Sequence, residues 1–476
     1  MKYEVVIGLE VHVELAAESK LFCSCSAKFG ADANENACPA CAGMPGMLPV
    51  LNKKAVELGI AAGIVTNSKI TPVITFDKKN YFYPDLSTGY QITQWFAPIC
   101  RDGYVEIETS KGNKRINLKQ IHIEEDAGKL VHDGGMSLVD YNRASVPLVE
   151  IVSKPDFRSA EEVVAYLEKL KSLLNFAGVS DCKMQEGSMR CDVNLSVRET
   201  GTETLGTRAE MKNMNSLKAI VRAIEFEEQR HIDALETGCE KLVQETRRWD
   251  DNAGQSYSMR NKEDATDYRY FPNPDIMPVH ISDEWIAQVK SGLPESAQDK
   301  YVRMTEKLGL SLADSKIITG SKRLSDIFDA LMNHNLKAKD VTSWIVTELL
   351  SMTTEENKSY DDIVIDCDKF AYLISMVDDK KINRAVAKKI LVLIYTENID
   401  PEKYVEENDL AMVSDTSFLV DIVKSVIEEN KSSVEQYYGG NPKILGFLMG
   451  KIMAQSAGKA DPSVVREILQ DTLDKK

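Results

Sequence analysis

Residues 1–292 are predicted to form one α+β domain on a large antiparallel sheet, followed by a helical domain over 293–400 and a small helical tail over 401–476. Two patterns predict this. Apolar and polar residues alternate through Ile7–Leu15, Ile116–Leu118, Ile121–Ile123 and Arg190–Arg198, the signature of strands with one wet face. Beyond Gly292-Leu293-Pro294 the apolar spacing becomes helical and strand signals thin out.

The opening strand, Ile7-Gly8-Leu9-Glu10-Val11-His12-Val13-Glu14-Leu15, sends its aliphatic residues to one face and Glu10, His12 and Glu14 to the other. Glu10 and His12 can converge on one cation, or the row is simply solvated. Just after it come Cys23, Cys25, Cys38 and Cys41, spaced as C-x-C, twelve residues, then C-P-A-C. Two close pairs across a short loop suit four-thiolate zinc. Such a closed site has no open position, so its expected role is structural. The remaining cysteines, Cys100, Cys182, Cys191, Cys239 and Cys367, are expected in the core.

Farther along, Ile121-His122-Ile123-Glu124-Glu125-Asp126 brings three acids to a strand end. They repel one another unless water, a base or a cation such as Mg²⁺ intervenes. An exposed acidic turn and a metal site are both open readings. Glu150 lies in an otherwise aliphatic strand, where a lone carboxylate is costly unless paired or metal-bound. Arg190, Asp192 and Asn194 share one strand face, as do Glu210 and Lys212. Two stretches mix aromatics with cations, Phe76–Asp85 and Asp267–Pro272. They suit either base stacking or a core edge.

Helices are punctuated clearly. Ser159-x-x-Glu162 reads as a capping box before Val163, Tyr166, Leu167, Leu170 and Leu174, with Gly178 as the stop. A second helix is expected near Ser216–Leu235. In the helical domain, Ile317, Leu324, Ile327, Phe328 and Leu331 form one expected apolar stripe, and Ala371, Leu373, Ile374 and Val377 another. In the tail, Asn441-Pro442 and Asp461-Pro462 are expected to open two short helices, with Gly458 closing the first.

With 58 basic and 74 acidic residues the net charge is −16, which disfavours nonspecific nucleic-acid binding and leaves any such contact to a local patch or an added subunit. The N-terminus lacks a signal-peptide pattern and no apolar run is long enough to span a bilayer, so the expected location is cytoplasmic with no membrane partner. There is no P-loop, Rossmann fingerprint or G-x-S-x-G element, which excludes those routes to ATP binding and ester hydrolysis.

Ile7–Leu15, Lys79-Asn80-Tyr81-Phe82-Tyr83-Pro84-Asp85, the segment Ile121–Lys129 and Tyr268-Arg269-Tyr270-Phe271-Pro272 together resemble the B subunit of the heterotrimeric Asp/Glu-tRNA(Asn/Gln) amidotransferase family, over essentially the whole chain. The resemblance implies a cradle domain, a helical domain and a tRNA-interacting tail. It implies ATP-dependent phosphorylation of the side-chain carboxylate of Glu-tRNA(Gln) or Asp-tRNA(Asn). Amidation follows, with ammonia from the glutaminase (the A subunit), and a small C subunit wraps the pair. It places Glu10, His12, Glu124, Glu125 and Glu150 at a Mg²⁺ and activation site, with Arg190 and Asp192 lining it and Lys79, Tyr81 and Tyr83 at the acyl end or ammonia route. Ser87-Thr88, Asn273 and Lys154 depart from the family pattern, and Thr88 replaces a lysine whose part in conducting ammonia is therefore in doubt. The contrasting reading is a non-catalytic, zinc-containing tRNA-binding scaffold.

Overall fold

In the computed structural model the described residues are 2–261, 267–355, 359–412, 416–439, 443–456 and 460–474. The chain divides into two compact units, Met1–Ala297 and Gln298–Lys476. The first is α+β and the second is helical among its described residues.

Ten strands form one sheet in the first unit. At its centre the opening strand, Tyr3–Glu14, lies between strands Met189–Glu199 and Pro147–Ser153, and the latter pairs in turn with Gly112–Glu125. These pairings are antiparallel. The expectation of a wholly antiparallel sheet fails at one place. Ala209–Lys212 runs parallel to Glu245–Asp250, because helix Leu217–Thr237 forms the crossover between them.

Val5, Ile7, Leu9, Val11, Val13 and Leu15 are buried in one core with residues of helices Lys53–Val65, Ala160–Phe176 and Leu217–Thr237. The apolar parity in the 112–125 strand switches between Leu118 and Ile121. A bulge accounts for it: Ser153 faces Leu118 while Val152 faces Gln120. The additional residue re-aims the strand, so Ile116, Leu118, Ile121 and Ile123 all reach the core.

Ser159 caps helix Ala160–Phe176 by accepting from Glu162 N, and Val163, Tyr166, Leu167, Leu170 and Leu174 are its buried stripe. Gly178 takes φ +69° just past its end, a left-handed turn that glycine makes without strain. Ser216 caps the next helix.

The second unit holds two apolar clusters, one spanning Met304–Val405 and the other Leu419–Leu473. Ile317 does not join the stripe expected of it. It lies on helix Leu312–Thr319, ahead of the helix that carries Leu324, Ile327, Phe328 and Leu331, and it is exposed while Ile318 turns inward. Cys239 is likewise exposed, just past a helix end, whereas Cys100, Cys182 and Cys191 are buried and Cys367 is half-buried. The expected caps at Asn441-Pro442 and Gly458 lie outside the described residues. Asp461 accepts from Ser463 N at the start of helix Pro462–Asp474. No helix among the described residues is long and apolar enough to cross a membrane.

Candidate active site

The register of the central strands builds a polar row. Arg190 lies opposite His12, His12 opposite Glu150, and Glu150 opposite His122, on four neighbouring strands. Glu124, two residues beyond His122, shares its side of the strand and reaches into the same group. His12 Nε2 lies 3.7 Å from Glu124 Oε1 and 3.9 Å from Glu150 Oε2. Thr93 donates to Glu124 Oε2 at 3.0 Å. Glu150 is not alone in its aliphatic strand. His122 Nε2 sits 2.5 Å from Glu150 Oε2. Burial works against charge on both, yet their mutual attraction prevails, holding the Glu150 carboxyl below and the His122 imidazole above the ordinary range.

His12, Glu124 and Glu150 each offer one ligand atom, all within 4.8 Å of one another. Ligands of a six-coordinate Mg²⁺ lie roughly 3–4 Å apart, so this set fits a divalent cation that keeps further positions for water or phosphate. Glu10 belongs to a neighbouring set with Asp192 and Glu210, again within 4.8 Å. Lys212 is ion-paired to Asp192 and lies 3.0 Å from Glu210. Asn194 donates to Glu10 at 3.0 Å. Burial raises the Glu10 carboxyl, and repulsion from Glu150, Glu210 and Asp192 adds to it. Asn194 Oδ1 and Arg190 Nε are buried without a partner among the described residues.

Glu125 does not join these groups. Consecutive strand residues point to opposite faces, so it turns away from Glu124. It accepts from Ile92 N and Ser145 Oγ, both at 2.8 Å. There it borders a cavity of about 170 Å³ with Cys41, Thr88 and Tyr90. Burial pushes its carboxyl up to about 7 despite those two donors. Arg190 is paired with Asp126 at 2.8 Å. Glu14, also in the opening row, is half-buried, and burial followed by Asp126 raises it to about 7.

Lys79 leans over the rings of Tyr81 and Tyr268, 5.5 and 5.1 Å from their centroids. It is near enough to Glu150 to favour that carboxylate. Tyr81 is half-buried, and Tyr83 is exposed.

Cys23, Cys25, Cys38 and Cys41 bring their sulfurs within 4.8 Å of one another, and Cys38 and Cys41 are 3.8 Å apart. Sulfur atoms around tetrahedral zinc are separated by roughly that distance, from Zn–S bonds of ~2.3 Å. The group could hold one metal ion. Buried Lys20 donates to Cys41 Sγ at 3.4 Å and to Tyr141 O at 2.9 Å. The Cys41 thiol is drawn down to about 4, by Cys23 first and then by the Cys38 backbone and Lys20.

Sequence reasoning omitted His122, Glu210 and Lys212 from the site. His122 carried a usable signal, since His122-x-Glu124 mirrors Glu10-x-His12 on a strand. Ser145 and Thr93 carried none, because their partners lie 20 and 31 residues away.

Residues 5–287 match the family described as GatB/GatE catalytic domain, and residues 326–473 match the GatB domain. The chain is 52% identical over 475 residues to the B subunit of the aspartyl/glutamyl-tRNA(Asn/Gln) amidotransferase of Lachnoclostridium phytofermentans, covering 99% of each. It is 51% identical over 473 residues to the protein of that name from Agathobacter rectalis, again with 99% of each covered. The Caldicellulosiruptor bescii protein of the same name is 48% identical over 480 residues, with both chains fully covered.

Proposed function

The chain belongs to the family of aspartyl/glutamyl-tRNA(Asn/Gln) amidotransferase B subunits, and from that premise we propose that its polar sheet face activates the side-chain carboxylate of Glu-tRNA(Gln), Asp-tRNA(Asn) or both. A carboxylate is a poor acyl donor. In this reading a carboxylate oxygen takes the γ-phosphoryl group of ATP and ADP leaves. Ammonia nitrogen then bonds to the acyl carbon, the bond to phosphate breaks, and Gln-tRNA(Gln) or Asn-tRNA(Asn) results. Glutamine hydrolysis in the glutaminase partner, the A subunit, supplies the ammonia, and a small C subunit completes the heterotrimer.

One observation carries the reading: His12, Glu124 and Glu150 converge from three adjacent strands with metal-ligand spacing. Phosphoryl transfer asks for positioning and positive charge more than for a protein nucleophile. These residues would hold Mg²⁺, which would supply that charge as a Lewis acid. His122 keeps Glu150 ionised and fixes one of its oxygens. Lys79 places an ammonium beside the same acids, with Tyr81 and Tyr83 flanking the acyl end. Arg190 and Asp192 line the site, and Glu10, with Asp192 and Glu210, offers a second cation-binding set. Glu125 takes a different role from the other acids. In its own cavity, with a carboxyl that titrates near 7, it can accept a proton from ammonium arriving there. The cysteine quartet is assigned a structural Zn²⁺ and the tail over 401–476 a tRNA contact.

The test is reconstitution with the two partner subunits. ATP, Glu-tRNA(Gln) and either glutamine or ammonia should yield Gln-tRNA(Gln). Glu124→Gln should abolish that conversion while glutamine hydrolysis continues. Normal amidation by this variant would overturn the site assignment. Failure of the wild-type complex to amidate either charged tRNA would favour the scaffold reading.

A further inference from the structure

Four aromatic rings form an unbroken run beside the acidic row. Tyr81 and Tyr268 are 5.6 Å apart, Tyr268 and Tyr270 are 5.9 Å apart, and both pairs meet edge-on. Tyr270 then stacks on Trp95 with centroids 4.4 Å apart and planes within 9°. Lys79 marks the inner end. The hydroxyls of Tyr81 and Tyr270 are both raised, chiefly by burial and additionally by Glu124.

The backbone holds the run in place. Asn80 N donates to Tyr268 O at 2.9 Å, and its side-chain amide donates to Arg269 O at 2.9 Å. Phe271 pairs with Lys78 across two short strands. At the outer end the fully buried Asp77 accepts from Trp95 N at 2.6 Å and from Phe96 N at 3.0 Å. Arg101 donates to Phe96 O at 2.9 Å, placing a guanidinium at the base of the same turn. Trp95 gives one ring face to Tyr270, yet it remains 51% exposed. A fixed, half-exposed indole, with a guanidinium held on the carbonyl of the next residue, offers the two parts of a single-strand binding site, a stacking surface and a cation for the backbone.

We propose that the free face of Trp95 stacks the terminal adenine of the tRNA acceptor end, with Arg101 toward the adjoining phosphate. This rests on the reading that an aminoacylated tRNA is activated here. The terminal nucleotide carries the reacting acyl group on its ribose, so its base must lie close to the acid cluster. Tyr81 and Tyr270 both lie close enough to Glu124 to feel its charge, and the run ends at exposed Trp95, two residues past the Thr93 that donates to Glu124. ATP also carries an adenine, and the test separates the two sources.

The assembled heterotrimer would be titrated with an acceptor-stem minihelix of tRNA(Gln), ending with or lacking the terminal adenosine. Binding would be compared for wild type, Trp95→Phe and Trp95→Ala. In the wild type, removing the adenosine is expected to weaken binding about tenfold, a typical value for one stacked base. In Trp95→Ala the intact minihelix should bind about tenfold more weakly, and removing the adenosine should then change little. Trp95→Phe should stay near wild type. In turnover, Trp95→Ala should raise KM for Glu-tRNA(Gln) and leave KM for ATP unchanged. Equal adenosine effects in wild type and Trp95→Ala would overturn the proposal. So would a rise confined to KM for ATP, or loss of the partner subunits from Trp95→Ala, which would make this an interface between subunits. Because the minihelix carries no amino acid, binding is read even if the wild-type complex fails to amidate, so the subsite and the catalytic reading fail separately.

Discussion

Two acid clusters lie on one sheet face, and they are neutralised differently. The trio His12, Glu124 and Glu150 is balanced by imidazoles, its own His12 and the buried His122. The trio Glu10, Asp192 and Glu210 is balanced by Lys212. An imidazole gives up its proton near neutrality and then serves as a metal donor, while an ammonium ordinarily keeps its charge to about pH 10. Burial disfavours the Lys212 charge, but Asp192 and Glu210 outweigh it and raise that group further. The first cluster thus contains, in His12, a group that can itself be a ligand to a cation. The second holds a resident charge that a cation must outcompete or displace.

The largest expected effect comes from breaking the first cluster. Glu150→Gln removes a ligand and takes from His122 its nearer anion, leaving only Glu124 at 3.7 Å. Amidation should fall by at least ~10²-fold with glutamine hydrolysis retained. Gln-tRNA formation by the purified complex would measure this.

Glu125→Gln comes next and separates the cavity from the row. It should slow amidation by about 10²-fold, the range for losing a proton acceptor, while Mn²⁺ binding to the complex stays at the wild-type level. A matching loss of Mn²⁺ affinity would return Glu125 to the metal site.

Lys212→Met tests the second cluster. Taking out its ammonium should tighten Mn²⁺ binding there several-fold, read by paramagnetic titration, with the first cluster unaffected. Unchanged or weaker binding would mean that Lys212 does not hold that site against cations.

Cys38→Ser probes the sulfur group. Zinc content should drop from one per chain toward zero and the melting temperature should fall by several degrees. Undiminished zinc would rule out the quartet.

The smallest effect concerns Glu14. Its carboxyl is raised from an ordinary 4.5 to about 7. The folded state therefore binds that proton more tightly than the unfolded chain does. The group's favourable contribution is full below about pH 4.5 and is lost as pH rises through 7. Glu14→Gln should raise the melting temperature by a degree or so at pH 8 and leave it unchanged at pH 4. An equal gain at both pH values would show that the effect is not electrostatic.

What could be read from the chain follows the range of the interactions. The cysteine quartet is closed within nineteen residues, so its spacing alone pointed to a sulfur site. The alternation in Ile7–Leu15 and the capped helix after Ser159 were equally local. The polar row depends instead on strand register. Glu150 meets His122 across 28 residues, and Glu10 meets Asn194 across 184. No spacing in the sequence states those pairings. The resemblance gathered five residues into one site, yet strand parity alone separates Glu124 from Glu125, and that was legible once the strand was accepted. The parallel strand pair was harder to foresee, because a crossover helix and an ordinary intervening helix look alike in sequence. Ile317 misled because it matched the apolar spacing of a helix to which it does not belong.

The central claim is that the His12, Glu124 and Glu150 set holds the cation for carboxylate phosphorylation. It is tested most directly by ADP formation from ATP in the assembled complex, driven by Glu-tRNA(Gln) with glutamine and ammonia both withheld. The account predicts a tRNA-dependent burst in the wild type that requires Mg²⁺ and is absent from His12→Ala, whose glutaminase stays intact. An undiminished burst from His12→Ala would contradict it.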